Sequence, residues 1–125
     1  MKTYLISLMS ADGPPPDDLD LSKVMGDLEL VNADIRAAGG WVFAGGLADT
    51  SSATTIRGTR SSGDAVLTDG PFVEVKEHLG GISVVKSDDY DQVIGWARRI
   101  QGATGLPIEV RPFMGDGDPG MPATE

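Results

Sequence analysis

The chain has 125 residues, 40% hydrophobic and 23% charged, with no cysteine and a formal net charge of −9. That composition fits one globular domain large enough to bury a core without crosslinks. It excludes a disulfide framework, a thiolate metal centre and a cysteine nucleophile. The acidic balance repels phosphate backbones, so no direct contact with nucleic acid is expected, and the acidity itself reads first as a solubility feature.

Residues 2–9 open the chain as a strand. Tyr4, Ile6 and Leu8 point one way, and Leu5 and Met9, flanking Ser7, point the other. An apolar run this short does not span a membrane. Pro14, Pro15 and Pro16 stand where a signal peptide would need a small-residue cleavage site, so a cytoplasmic protein is expected. Residues 11–16 form a breaker run. Asp17 to Ala38 reads as a helix, with Leu21, Val24, Met25, Leu28, Val31, Ile35 and Ala38 on one stripe, three acids near its start and Gly39-Gly40 at its end.

Trp41–Ala44 is a short strand ending at Gly45-Gly46. Residues 53–59 and 65–68, separated by Ser61-Ser62-Gly63-Asp64, read as a hairpin. Asp69-Gly70-Pro71-Phe72 is a tight turn in which Asp accepts backbone hydrogen bonds, Gly permits positive φ and Pro fixes the next φ; Phe72 is the expected core anchor beneath it. Residues 80–86 form the next strand. A helix follows the Ser87-Asp88-Asp89 cap, with Tyr90, Val93, Ile94, Ala97 and Ile100 on its apolar face, Arg98 and Arg99 in its last turn, and Gly102 and Gly105 breaking it. Residues 106–113 form the final strand, where Pro107 and Pro112 suggest a sheet edge or strand ends. The domain is expected to span 1–113, with 114–125 a flexible tail containing acidic residues.

The order β-α-β-(β-β)-β-α-β is α+β, a ferredoxin-like split βαβ with an inserted β-hairpin. Two helices cover one face of such a sheet, yet the first strand is apolar on both. Pairing of two copies as a dimeric α/β barrel would cover the second face; a cover from residues 45–79 is the alternative.

Residues 69–81 crowd turn chemistry, ionisable groups and a glycine pair into one window. Glu74 and Lys76 share a face if Phe72–Lys76 is extended, which makes them either a surface ion pair or ligand-orienting groups. His78, the single histidine, is either an exposed bystander or a general acid or base beside Glu77, with Lys76 stabilising developing negative charge. The catalytic candidates are thus His78, Glu77 and Lys76. The ligand-binding candidates are Asp69, Gly70, Glu74, Lys76 and Arg111, the last as an anion partner. No metal site or cofactor is expected, since one histidine and no cysteine supply few ligands and no dinucleotide or phosphate-loop fingerprint occurs.

Asp69-Gly70-Pro71-Phe72, followed by Glu74, Lys76-Glu77 and Leu79-Gly80-Gly81, resembles the signature of the DGPF-domain proteins of the YCII-related group. Tyr4–Met9, Ala37-Ala38-Gly39, Gly46-Leu47, Trp96-Ala97 and Glu109-Val110-Arg111-Pro112 extend the likeness over about residues 2–113. The resemblance implies a ferredoxin-like homodimer. The residues themselves lead to a homodimer that binds a small polar or anionic molecule in a cleft lined by the 69–78 segment; the resemblance implies, as alternatives, a lyase or dehydrochlorinase-like enzyme acting on small molecules or a regulatory partner of a sigma factor. The enzymes of the wider group are thought to use a His–Asp pair with the histidine on the first helix. Residues 17–38 contain no histidine and offer Glu29, Asn32, Asp34 and Arg36 instead, so that pair does not carry over.

Overall fold

The computed structural model describes residues 1–11, 16–72 and 77–115. Its elements are β1 (Lys2–Ala11), α1 (Leu21–Ala37), β2 (Trp41–Gly46), a single 3-10 turn (Thr50–Ser52), β3 (Thr54–Arg57), β4 (Val66–Asp69), β5 (Glu77–Ser87), α2 (Tyr90–Thr104) and β6 (Ile108–Pro112). Four strands form one antiparallel sheet in the order β2-β5-β1-β6, while β3 and β4 pair separately as the inserted hairpin. With the hairpin set aside, this is the ferredoxin-like arrangement: β1 and β2 flank β5, β5 and β6 flank β1, and a helix makes each crossover. The proline-flanked β6 lies at an edge, where a missing backbone donor costs least.

Alternation along β1 divides the sheet into two faces. Tyr4 and Ile6 are buried against α1 and α2 in a core with Val31, Ile35, Val85, Val93, Trp96, Ala97 and Ile100. Leu8, Trp41, Ile108 and Val110 pack around its edge. Ile6, Ile35, Val85 and Val93 have no exposed surface, and burial of each such side chain contributes about 1.5–3 kcal/mol. Leu5, paired with Val84 and Arg111, points away from the helices, as does Phe43 beside Val84. Phe43 is exposed.

Several boundaries differ from the sequence reading. Helix α1 begins at Leu21, because the Asp20 carboxylate accepts a hydrogen bond from the Lys23 N–H and caps it; Asp17 and Asp18 lie before the first turn. Only Val31 and Ile35 of its apolar stripe are buried, whereas Leu21 and Met25 at its N-terminal end are exposed. Helix α2 passes through Gly102 and ends at Gly105, whose φ of 71° is the left-handed conformation glycine adopts readily. Arg98 and Arg99 therefore fall short of its last turn. The Arg99 guanidinium instead meets the Asp34 carboxylate at 2.7 Å and links the two helices on their exposed side. Strand β5 begins three residues before Gly80, so Glu77 and His78 belong to the sheet. The flexible-tail expectation falls outside the described residues from 116 onward.

Close packing also fixes one glycine. A Cβ at Gly40 would stand 2.6 Å from Cη2 of Trp96 and 2.7 Å from the Lys86 carbonyl. The Gly39-Gly40 pair thus does two jobs. Gly39 takes a φ of 76° as the chain leaves α1, and Gly40 lets the Trp96 ring reach the core.

Candidate functional site

Small side chains on the helix-facing side of β2 and β5 leave a hollow. Gly81 pairs with Leu8 and Gly46, and Ser83 pairs with Ile6 and Ala44, so these positions all share the face that looks towards α1. Above them Met25, Leu28, Glu29, Asn32 and Arg36 recur along one side of α1. The space between is a cavity of about 540 Å³. Its walls are mainly apolar, with Leu8, Met25, Leu28, Ile100 and Leu106 contributing, while Ser10, Glu29, Asn32 and Arg36 supply polar atoms.

Three features of this cavity have chemical consequences. Ser83 is 4% exposed, and its hydroxyl has no hydrogen-bond partner among the described residues. A buried hydroxyl without a partner costs on the order of 1–3 kcal/mol. The Arg36 guanidinium lies over the Trp41 ring at 4.0 Å from its centroid. That cation–π contact orients the group yet leaves its N–H donors unused by any carboxylate among the described residues. Gly46 bears no side chain on the cavity wall, and a Cβ there would meet nothing within 4 Å.

The window from Asp69 to Leu79 lies elsewhere. Asp69 ends β4 opposite Thr54. Gly70 has a φ of 105°; its N–H donates to the Ala53 carbonyl at 2.7 Å, and its own carbonyl accepts from the Thr55 hydroxyl at 2.8 Å. Asp69 and Gly70 therefore stand where the hairpin closes. Phe72 is not the core anchor expected of it. It is exposed, with the Arg57 guanidinium over its ring at 4.5 Å and donating to its carbonyl at 3.0 Å. The hairpin stands off the helix-covered core, so the turn has no interior beneath it to receive the ring.

Glu74 and Lys76 lie outside the described residues. Glu77 and His78 line a second cavity, also of about 540 Å³, with Met9, Asp49, Thr50, Pro71, Phe72 and Leu79. The Asp49 carboxyl is held below the ordinary range, chiefly by the Ser51 hydroxyl and N–H, with a smaller contribution from the positive charge of His78. Arg111 is in neither cavity. It lies on β6 across from Leu5, and its guanidinium bonds to Glu109 at 3.0 Å. Glu77 and His78 are consecutive on β5 and both line this second cavity, and Arg111 stands apart from it.

The residues that line the first cavity include three polar side chains of α1 visible in the sequence but given no role there. Ser83, Trp41 and Gly46 were not singled out as site residues. The signal was present in the period of the strands: Gly81 and Ser83 two residues apart, facing Ala44 and Gly46 two residues apart, make a floor without bulk.

A model of the YCII-related domain matches residues 16–113. The chain belongs to the YCII-related family. An uncharacterised protein of Rhizobium meliloti (strain 1021) is similar to it, at 36% identity over 94 residues that span 73% of each chain. Among the described residues, no helix is long and apolar enough to cross a membrane, and no three His, Asp or Glu side chains gather as metal ligands.

Proposed function

We propose that this YCII-related protein is a homodimer that binds a small polar molecule in the cavity between α1 and the β2–β5 half of the sheet. The convergence of Asn32, Arg36 and Glu29 on one mainly apolar cavity carries this reading. Walls that are largely apolar with a few convergent polar groups are the usual make-up of a small-molecule site. The test is an amide NMR titration against a library of small polar compounds. Saturable shifts at Gly81, Ile82 and Ser83 are expected, together with Asn32 and Arg36 on α1. Shifts confined to other regions, or none with any compound, would overturn the assignment.

The dimer is supported by apolar side chains left in solvent away from the core. Phe43 on the helix-free sheet face and Ile56, Val66 and Leu67 on the hairpin are each 56% or more exposed. Ile56 and Leu67 are paired across the hairpin, and exposed apolar patches mark association sites. Sedimentation equilibrium should give twice the chain mass, and Phe43→Lys or Leu67→Lys should shift the population towards monomer. A wild-type chain that sediments as a monomer at high concentration would end the dimer reading.

Acid–base chemistry at His78 has one observation of its own: the imidazole shares a cavity with the carboxylates of Asp49 and Glu77. In this reading Glu77 or His78 takes a proton from a small carbonyl or aromatic compound. His78→Gln should then abolish turnover, and a variant as active as the parent would remove the basis for it.

A further inference from the structure

The charge pattern of the α1 cavity narrows the ligand further. The Arg36 side chain makes no ion pair with a described residue, as is also true of Arg57, Arg60 and Arg98, whereas Arg99 meets Asp34 and Arg111 meets Glu109; what sets Arg36 apart is its place on the wall of the cavity. A guanidinium held over an aromatic ring at a cavity wall, with no side-chain hydrogen bond to a described residue, can receive a planar oxyanion through two parallel hydrogen bonds. Asn32 lines the same cavity one turn earlier on the helix and adds an amide donor.

Glu29, a further turn towards the N-terminus, sets the opposite condition. Its side chain also has no hydrogen bond or ion pair with a described residue. A carboxylate seven residues from the arginine on one helix repels a second negative charge on the ligand and accepts from a hydroxyl or ammonium group. Between these poles the lining of Leu8, Met25 and Leu28 suits a compact apolar body. The bare Cα of Gly46 keeps the β2–β5 floor open.

Resting on the reading of this cavity as the ligand site, we infer that the ligand is a small monocarboxylic acid with an apolar body and a hydrogen-bond donor, that is, a hydroxy- or amino-carboxylate. The carboxylate sits on Arg36 and Asn32, the donor faces Glu29, and the body lies over the β2–β5 floor. Phosphate esters and dicarboxylates fit less well, because the second charge meets Glu29.

The experiment is an NMR and calorimetric titration of the full chain with mandelate, 4-hydroxybenzoate and phenylalanine. Mandelamide and 4-hydroxybenzamide serve as neutral counterparts, and phthalate and inorganic phosphate as multiply charged ones. At least one monocarboxylate is expected to shift Gly81, Ile82 and Ser83 saturably. Its amide should bind tenfold or more weakly, and the multiply charged probes weakly or not at all. Arg36→Gln, at an exposed position, should weaken carboxylate binding at least tenfold, and Arg36→Lys should recover part of it. Amides that bind as tightly as the acids, or an Arg36→Gln variant with unchanged affinity, would overturn the carboxylate assignment and leave the cavity as the site. Absence of shifts at the cavity with every probe would overturn both.

Discussion

The guanidinium of Arg36 lies 4.0 Å from the centroid of the Trp41 ring, so the last turn of α1 is tied to the first residue of β2 across the Gly39-Gly40 connection. The contact serves two ends. It closes one end of the cavity, and it holds a long, flexible side chain in one orientation without neutralising its charge. Cation–π contacts at exposed positions contribute about 0.5–1 kcal/mol. Trp41→Leu is expected to destabilise the fold by more than that, because part of the indole also packs on the core. Urea denaturation of Trp41→Leu and Arg36→Gln separates the two contributions, since Arg36→Gln loses only the ring contact.

Gly40 is the most sharply constrained glycine in the α1–β2 turn. A methyl group there meets Cη2 of Trp96 at 2.6 Å and the Lys86 carbonyl at 2.7 Å. Gly40→Ala should cost about 1–3 kcal/mol, the usual range for overpacking. Trp96→Phe in the same chain should relieve the ring clash alone, because the carbonyl belongs to the backbone of β5. Equilibrium unfolding of the single and double variants checks this.

Ser83→Ala separates stability from binding. Removing a buried hydroxyl that lacks a partner eliminates its desolvation cost, so the variant should be as stable as the parent or more stable by about 1 kcal/mol. Its affinity for a cavity ligand should stay near the parent's, because the hydroxyl presents almost no surface to the cavity. A variant less stable than the parent by 1 kcal/mol or more would mean that the hydroxyl is satisfied in the free protein, most simply by ordered water. Thermal denaturation with and without ligand distinguishes the cases.

The second helix depends on its cap. The Asp89 carboxylate accepts from the Asp91 N–H at 3.0 Å, and the Asp89 N–H donates to the Ser87 hydroxyl at 2.9 Å. Asp89→Ala should lower stability by about 1 kcal/mol. The loss should spread through the core, because α2 supplies Val93, Trp96, Ala97 and Ile100. Hydrogen exchange along α2 should quicken first at its N-terminal turn.

The hairpin tip carries a pH dependence of known sign. The Asp64 carboxyl is held below its ordinary value of 3.8, chiefly by the Ser62 hydroxyl, then by the Thr59 N–H and hydroxyl. A carboxyl with a lowered folded pKa stabilises the turn fully above the unfolded value, and that contribution is lost as pH falls through the folded one. The amide of Thr59, which bonds to Asp64 at 2.9 Å, should stay protected from exchange at neutral pH and lose protection below about pH 3.8. In Asp64→Asn the protection should be weaker at neutral pH and nearly independent of pH.

Much of the fold was legible in the chain. Alternation of Tyr4, Ile6 and Leu8 with Leu5 and Met9 gave β1 and its two faces, and the three- and four-residue spacing around Val31 and Ile35 gave α1. Those patterns are local consequences of strand and helix periods. The DGPF-type window was legible as a turn because Gly70 needs a positive φ that few other residues tolerate. The site was less legible. Polar residues close in sequence drew attention to Glu77 and His78, whereas Glu29, Asn32 and Arg36 on α1 come together with the Gly81–Ser83 floor, roughly fifty residues on, only where the helix lies over the sheet. Phe72 was misread for a related reason. Its hydrophobicity is local, but whether a core lies beneath it depends on where the hairpin stands.

The sequence by itself determined the element order, the glycine turns, the absence of cysteine chemistry and, through its periods, which side chains could be buried together. Only the tertiary structure decided that the apolar stripe of α1 is buried at Val31 and Ile35 but overhangs a cavity at Met25 and Leu28. It also decided that Arg111 pairs with Glu109 while Arg36 keeps its donors. The physical reason is that cavities and ion pairs depend on distances between residues remote in sequence, set by strand register and by the size of the side chains between sheet and helix.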